Sequence, residues 1–288
     1  WAFLGGQWLV YGGRATLACA AVPTLAARRL ERMASLSILV SAGTLLAAIG
    51  FGQPALTSAA LFYMVSSTLA LCALFLLAEL IERSRSANEL PLDDDADALP
   101  SPLESLQPPK GINLDDEQKA VVGQVIPWTM AFLGFAFIAC ALLIIGMPPL
   151  SGFVGKFSLI TALFNPLGMG VPADEPLSAS GWTLLTLLIL SGLASLIALV
   201  RLGVQRFWKP EERPSPLLRL YECVPIVALL SLCVVLSLWA EPLMRYAQDT
   251  AASLKDPGVY IEAVLGTRPI PGPTTLDSAM LERVQVQP

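Results

Sequence analysis

The chain has no histidine, and its five cysteines, at positions 19, 72, 140, 223 and 233, lie within or at the edges of apolar stretches. None stands in a CxxC spacing. Zinc, haem and imidazole-based acid–base catalysis are thereby excluded from this segment, and iron–sulfur ligation has no ligand pattern. The cysteines read as small apolar packing residues. A Walker loop, a dinucleotide-binding glycine fingerprint and a GxSxG elbow are also missing, so no cofactor is expected in this chain. Redox cofactors or ATP, if used, would sit on another subunit. Charge is scarce as well: 14% of the 288 residues are charged, and the net charge of −5 offers nothing to nucleic acid.

Apolar sequence is what the chain has in quantity. Hydrophobic residues make up 55%, and the mean hydropathy is +0.64. The charges fall in short loops and two polar segments, leaving apolar runs of roughly 20 residues, the length that crosses a bilayer as a helix. The expected fold is all-α, a polytopic helical membrane protein with six spans. These run from Trp1 to about Ala27, Met33 to Phe51, Ala55 to Ile81, Val125 to Phe164, Trp182 to Gln205, and Cys223 to Leu243. The first is weakened by Gly5, Gly6, Gly12, Gly13 and Arg14; the fourth is interrupted. Because the sequence opens on Trp1 at the edge of an apolar run, it reads as the C-terminal part of a longer protein.

Lys and Arg alternate between loops. Arg28, Arg29 and Arg32 follow span one; Arg83, Arg85, Lys110 and Lys119 follow span three; Arg201, Arg206, Lys209, Arg213 and Arg219 follow span five. The loops at 52–54 and 165–181 have neither residue. The positive-inside rule then places the basic loops in the cytoplasm and the C-terminal tail on the outer face. Residues 1–246 read as a membrane domain. Within it, 84–121 form an acidic cytoplasmic loop with Asp93, Asp94, Asp95 and Asp97, flexible over 84–116, with a short amphipathic helix expected from Asp115. Residues 247–288 form a polar tail that buries little surface.

One charge stands apart. In FIACALLIIGMPPLSGFVGKFSLITALF, Lys156 follows a break at Gly146, Pro148 and Pro149 inside a stretch of about 40 residues, too long for one straight crossing at 1.5 Å per residue. Each proline lacks an amide donor and clashes with the preceding turn, freeing carbonyls near Ile144 and Ile145. Gly146, Gly152 and Gly155 allow close backbone approach around that hinge. Lysines near helix ends can snorkel to the interface, but this one lies inside the broken element, where a charge marks a functional site by default. Glu79, in LFLLAELIER, is a candidate proton-entry group that could equally pair with Arg83 or reach the headgroups. Ser37, Ser41 and Thr44 in span two, and Ser66, Ser67 and Thr68 in span three, are hydroxyl clusters that serve either as interhelical glue or as a water path to Lys156.

The string IIGMPPLSGFVGKFSLITALF resembles the twelfth helix of the antiporter-like subunits of respiratory complex I and of the Mrp-type multisubunit Na+/H+ antiporters. RRLERMASLSILVSAGTLLAAIGFG is similar to their tenth helix, and ALFYMVSSTLALCALFLLAELIER to their eleventh. The likeness covers about Arg28 to Leu243 and is strongest to the D-type subunits of the Mrp, or Pha, antiporters. It implies a fourteen-helix subunit with two inverted five-helix repeats, of which this chain holds the last four helices of the second repeat and the terminal two. It also implies a proton path along buried Lys and Glu groups, with the lysine of the broken helix at Lys156. Several relatives carry His or Lys where Ser66 or its neighbours stand, and Tyr where Leu36 stands. Hydroxyls and water would have to bridge those positions here.

The implied function is a membrane subunit of a monovalent cation/proton antiporter, exchanging H+ for Na+ or K+ in a bacterial inner membrane. Its partners are lipid and the other membrane subunits of the assembly. A proton-pumping subunit of an NADH-quinone oxidoreductase, with all cofactors in its partners, and a scaffold subunit without its own pathway are the alternatives. In the first and third of these the chain is a transporter component, not an enzyme.

Overall fold

The computed structural model describes residues 2–89, 128–166, 177–207, 220–255 and 257–266. Among these the structure is all helical, with nine helices and no strand: α1 (Ala2–Ala26), α2 (Leu30–Gly50), α3 (Pro54–Glu89), α4 (Trp128–Ile145), α5 (Ser151–Phe164), α6 (Ala179–Phe207), α7 (Leu220–Leu238), α8 (Ala240–Lys255) and α9 (Pro257–Leu265). Six of them, α1 to α4, α6 and α7, have stretches long and apolar enough to cross a membrane. With α5 completing the interrupted fourth element, they match the six spans expected. The helix expected from Asp115 lies outside the described residues.

The interior is organised in layers along the bundle. One layer joins Leu30 and Met33 of α2, Leu74 and Leu77 of α3, Phe137 and Cys140 of α4, Leu199 and Leu202 of α6, and Ile226 of α7. A second layer joins the opposite end of α3, through Leu56, Ala59, Ala60 and Tyr63, to Leu159 and Leu163 of α5 and Leu185 of α6. The break between α4 and α5 falls between these layers. Large apolar side chains such as Phe135, Ile189, Leu193 and Val200 point outward, as expected of helices whose surroundings are as apolar as their core.

Three features depart from expectation. The glycines of α1 are a packing seam rather than a weakness: a Cβ on Gly13 would stand 2.3 Å from the Ala47 amide nitrogen, and one on Gly43 would stand 2.7 Å from that of Leu17. Small residues let the two backbones touch, the usual basis of helix association in lipid. α3 continues to Glu89, past the loop start expected at Ser84. The last span ends at Leu238, not near Leu243. Beyond Trp239 the chain resumes as α8, with Pro242 in the first turn, where a missing amide costs nothing. α8 packs on α3 and buries Ala247 and Ala251, one turn apart, so the segment after residue 246 contributes more packing than a solvated tail would.

At the opposite end of α3, Arg83 pairs with Glu222 of α7, and Glu82 lies 3.7 Å from Arg206 of α6. Arg201 donates from Nη2 to the Ala27 carbonyl at 2.6 Å, capping the end of α1 with a cation.

The seam gives a direct prediction. Gly13→Val should lower the thermal stability and yield of the detergent-solubilised protein, because the new side chain meets backbone. Gly12→Ala, which meets nothing within 4 Å, should leave both unchanged. Equal melting temperatures for the two variants would refute the seam.

Candidate functional site

α4 ends because Pro148 and Pro149, which are joined by a cis peptide bond, cannot extend its hydrogen-bond ladder. Gly146 adopts φ +82°, the left-handed conformation that closes helices. The amides of Gly146 and Met147 both return to the Leu142 carbonyl at 3.0 Å. That termination leaves the carbonyls of Ile144 and Ile145 without backbone donors. Lys156, the sixth residue of α5, supplies them: Nζ donates to Ile144 O at 2.7 Å and to Ile145 O at 2.9 Å. A buried carbonyl left unpaired costs about 1–3 kcal/mol, so the ammonium completes the helix end as well as being held by it.

The reach from α5 back to α4 depends on close backbone contact. A Cβ at Gly152 would come to 1.9 Å from the Leu143 carbonyl oxygen, so no other residue fits there without moving the first turn of α5. One turn on, Gly155 lies against Tyr63 of α3, with a Cβ position 3.2 Å from its Cα. Ser237 of α7 donates its hydroxyl to the Pro149 carbonyl, fixing the linker from the other side.

The head of Lys156 adjoins a cavity of about 30 Å³ near the middle of the spans. Its polar lining comes from three further helices: Ser37 and Ser41 of α2, Tyr63, Ser66 and Ser67 of α3, and Ser195 of α6. Positions 37, 40 and 41, and 63, 66, 67 and 70, follow the i, i+3, i+4 pattern that keeps one helix face toward one point. Three of these hydroxyls bond their own helix: Ser37 to Met33 O at 2.9 Å, Ser67 to Met64 O at 3.2 Å and Ser195 to Ser191 O at 2.8 Å. Ser41 and Tyr63 instead bond each other between helices, at 3.0 Å. Ser66 Oγ is fully buried and has no hydrogen-bond partner among the described residues.

The candidates read from the sequence therefore separate. Lys156, Ser37, Ser41, Ser66 and Ser67 come together around one cavity, with Gly146 and Gly152 at its hinge. Thr68 faces outward and bonds Met64 O; Thr44 is buried but bonds Val40 O. Glu79 lies on the exposed side of α3, away from the cavity lining, and the Arg83 it could have paired with is engaged by Glu222. Arg14 bonds Thr183 Oγ1 at 2.5 Å and stacks over Tyr11, also apart from the cavity. Two lining groups were not singled out from the sequence. Tyr63 stands three residues before Ser66 on the same face, and Ser195 pairs with Ser191 at i, i+4; that spacing was the available signal. No group of three or more metal-ligating side chains occurs among the described residues.

No family model matches the sequence. The chain is 47% identical over 264 residues to the D-type subunit of a probable K+/H+ antiporter of Rhizobium meliloti, covering 91% of this chain and 46% of that protein. It is 30% identical over 142 residues to the D-type subunit of a Na+/H+ antiporter of Alkalihalophilus pseudofirmus, covering 48% of this chain and 25% of that one. The chain thus spans about half the length, or less, of the curated relatives it matches. In fold it is similar to a chain of the Mrp complex from Dietzia sp., with a TM-score of 0.63, 17% identity, and coverage of 90% of this chain and 50% of that one. Over the length it spans, the chain resembles D subunits of K+/H+ and Na+/H+ antiporters in sequence and a chain of the Mrp complex in fold.

Proposed function

We propose that the chain forms part of a membrane subunit of a multisubunit Na+/H+ or K+/H+ antiporter, and that Lys156 is the group through which it carries protons. The observation that carries this reading is the placement of Lys156. Its ammonium lies on a broken helix between two packed layers, held by two carbonyls and adjoining a hydroxyl-lined cavity. Discontinuous helices at that depth are where ion sites form in membrane transporters, since freed backbone groups and water can coexist there. The curated relatives are named as antiporter subunits, which favours antiport over the oxidoreductase and scaffold readings.

The remaining assignments follow from that reading. The loops carrying Arg28, Arg29, Arg83, Arg206 and Arg219 face the cytoplasm of a bacterial inner membrane. Residues 1–246 form the membrane domain, with the acidic loop, from the end of α3 at Glu89 to about residue 121, on the cytoplasmic side. Residues 247–288 form an outer-face tail whose first helical turns rest on α3. Other membrane subunits complete the ion path.

Lys156→Ala should abolish Na+- or K+-dependent proton movement in everted vesicles carrying the assembled complex, with subunit levels unchanged. Lys156→Arg separates the two roles of the side chain. A guanidinium still caps the Ile144 and Ile145 carbonyls but does not release its proton, so this variant should retain thermal stability and lose transport. Wild-type proton movement in either variant would show that the proton takes another route.

A further inference from the structure

The break uses two of the three protons on Lys156. An ammonium has three donors and no acceptor, and the Ile144 and Ile145 carbonyls take two. Two cavities adjoin the side chain. The larger, about 360 Å³ and open, is lined beyond Lys156 by Ile145, Gly146, Phe153, Phe157 and apolar residues of α5 and α6, with no side-chain acceptor. The smaller, about 30 Å³, is lined by hydroxyls on three helices. A side-chain oxygen for the third N–H exists in the smaller one alone.

That small cavity fits water. Its volume corresponds to about two molecules at 10–15 Å³ each, and a buried water needs two to four polar partners. Ser66 Oγ, fully buried and unpartnered, is one. Ser195 gives its proton to Ser191 O and keeps its lone pairs. The Ser41–Tyr63 contact uses one of two hydroxyl protons, leaving the other O–H for a further bond.

We propose that this cavity is a relay chamber holding one or two waters, in which the Ser41–Tyr63 pair, together with Ser66, receives the proton that Lys156 releases. Tyr63 is then a relay residue of the pathway. The inference rests on Lys156 being the proton carrier. In the step, one N–H bond of Lys156 breaks, its electron pair stays on nitrogen, and the proton forms an O–H bond on a chamber water. That water releases another proton to the hydroxyl pair, whose oxygen gains it while giving its own proton to the next oxygen. Each oxygen that passes a proton on returns to neutral, the positive charge leaves with the proton to the next chamber oxygen beyond the pair, and no electron is exchanged.

The carbonyl pair makes the step reversible in place. A neutral amine keeps two N–H donors, so the bonds to Ile144 and Ile145 persist after the third proton leaves. The new lone pair then occupies the direction the proton left, toward the chamber, and reprotonation needs no movement of the side chain.

The test uses the assembled antiporter in everted vesicles, with rates taken per assembled complex after addition of Na+ or K+. Tyr63→Phe preserves the ring against Gly155 and should slow proton movement about tenfold, the effect of roughly one hydrogen bond in a barrier. Adding Ser41→Ala should cost little more, because the two hydroxyls act as one unit. Ser66→Val, which removes the hydroxyl, should slow transport similarly, whereas Ser66→Thr, isosteric with the valine and keeping the hydroxyl, should retain transport. Tyr63→Phe should also enlarge the rate difference between H2O and D2O, a readout that a purely packing role would not move. A wild-type rate in Tyr63→Phe while Lys156→Arg is inactive would overturn the chamber alone. A wild-type rate in Lys156→Arg would overturn the lysine's role itself.

Discussion

The bond between the Lys156 ammonium and the carbonyls of Ile144 and Ile145 is the interaction on which the centre of this structure depends. A helix stopped in apolar surroundings leaves acceptors that neither lipid nor a dry core can satisfy. A charge in the same place is unfavourable for the complementary reason. Here each defect supplies what the other lacks, and the remaining features of the hinge serve that contact. Gly146 turns the chain, Gly152 lets α5 rest on the Leu143 carbonyl, and Ser237 holds the Pro149 carbonyl from α7.

The surrounding polarity is made of hydroxyls, among the described residues, and this choice has a physical basis. Serine and threonine in a helix can return their proton to a carbonyl three or four residues back, so they enter an apolar bundle at small cost while leaving lone pairs available. Ser37, Thr44 and Ser195 do this. A carboxylate would need a permanent partner. Two hydroxyls that do not, Ser66 without a partner and Ser41 joined to Tyr63 across helices, fall at the wall of the cavity that Lys156 shares with them.

Much of this was legible in the chain because it follows from local chemistry. Proline has no amide proton, so the freed carbonyls at Ile144 and Ile145 could be named from Pro148 and Pro149 alone. Their partner could not, because it depends on how closely α5 folds back, which two glycines and a neighbouring helix decide. The same limit explains α1, where glycines read as weakness until their facing residues on α2 were known. α8 escaped notice because its apolar positions, such as Ala247 and Ala251, are small and set among charges. Tyr63 was hidden in a different way: its role lies in a phenol oxygen meeting Ser41 on another helix, 22 positions away.

The two sides of Lys156 are unequal, and that inequality constrains any transport cycle. Toward α6 the groove is apolar and offers a proton no side-chain oxygen; toward α2 and α3 it meets hydroxyls. Under the proposed role of Lys156, the side-chain oxygens available to its third N–H lie on that one face, while the other two N–H bonds stay on carbonyls that a neutral amine can still satisfy. A lysine held in this way gains nothing from swinging between opposite openings. The backbone contact of Gly155 with Tyr63 couples the chamber wall to the hinge, so a shift of the broken helix changes the chamber and the lysine's surroundings together.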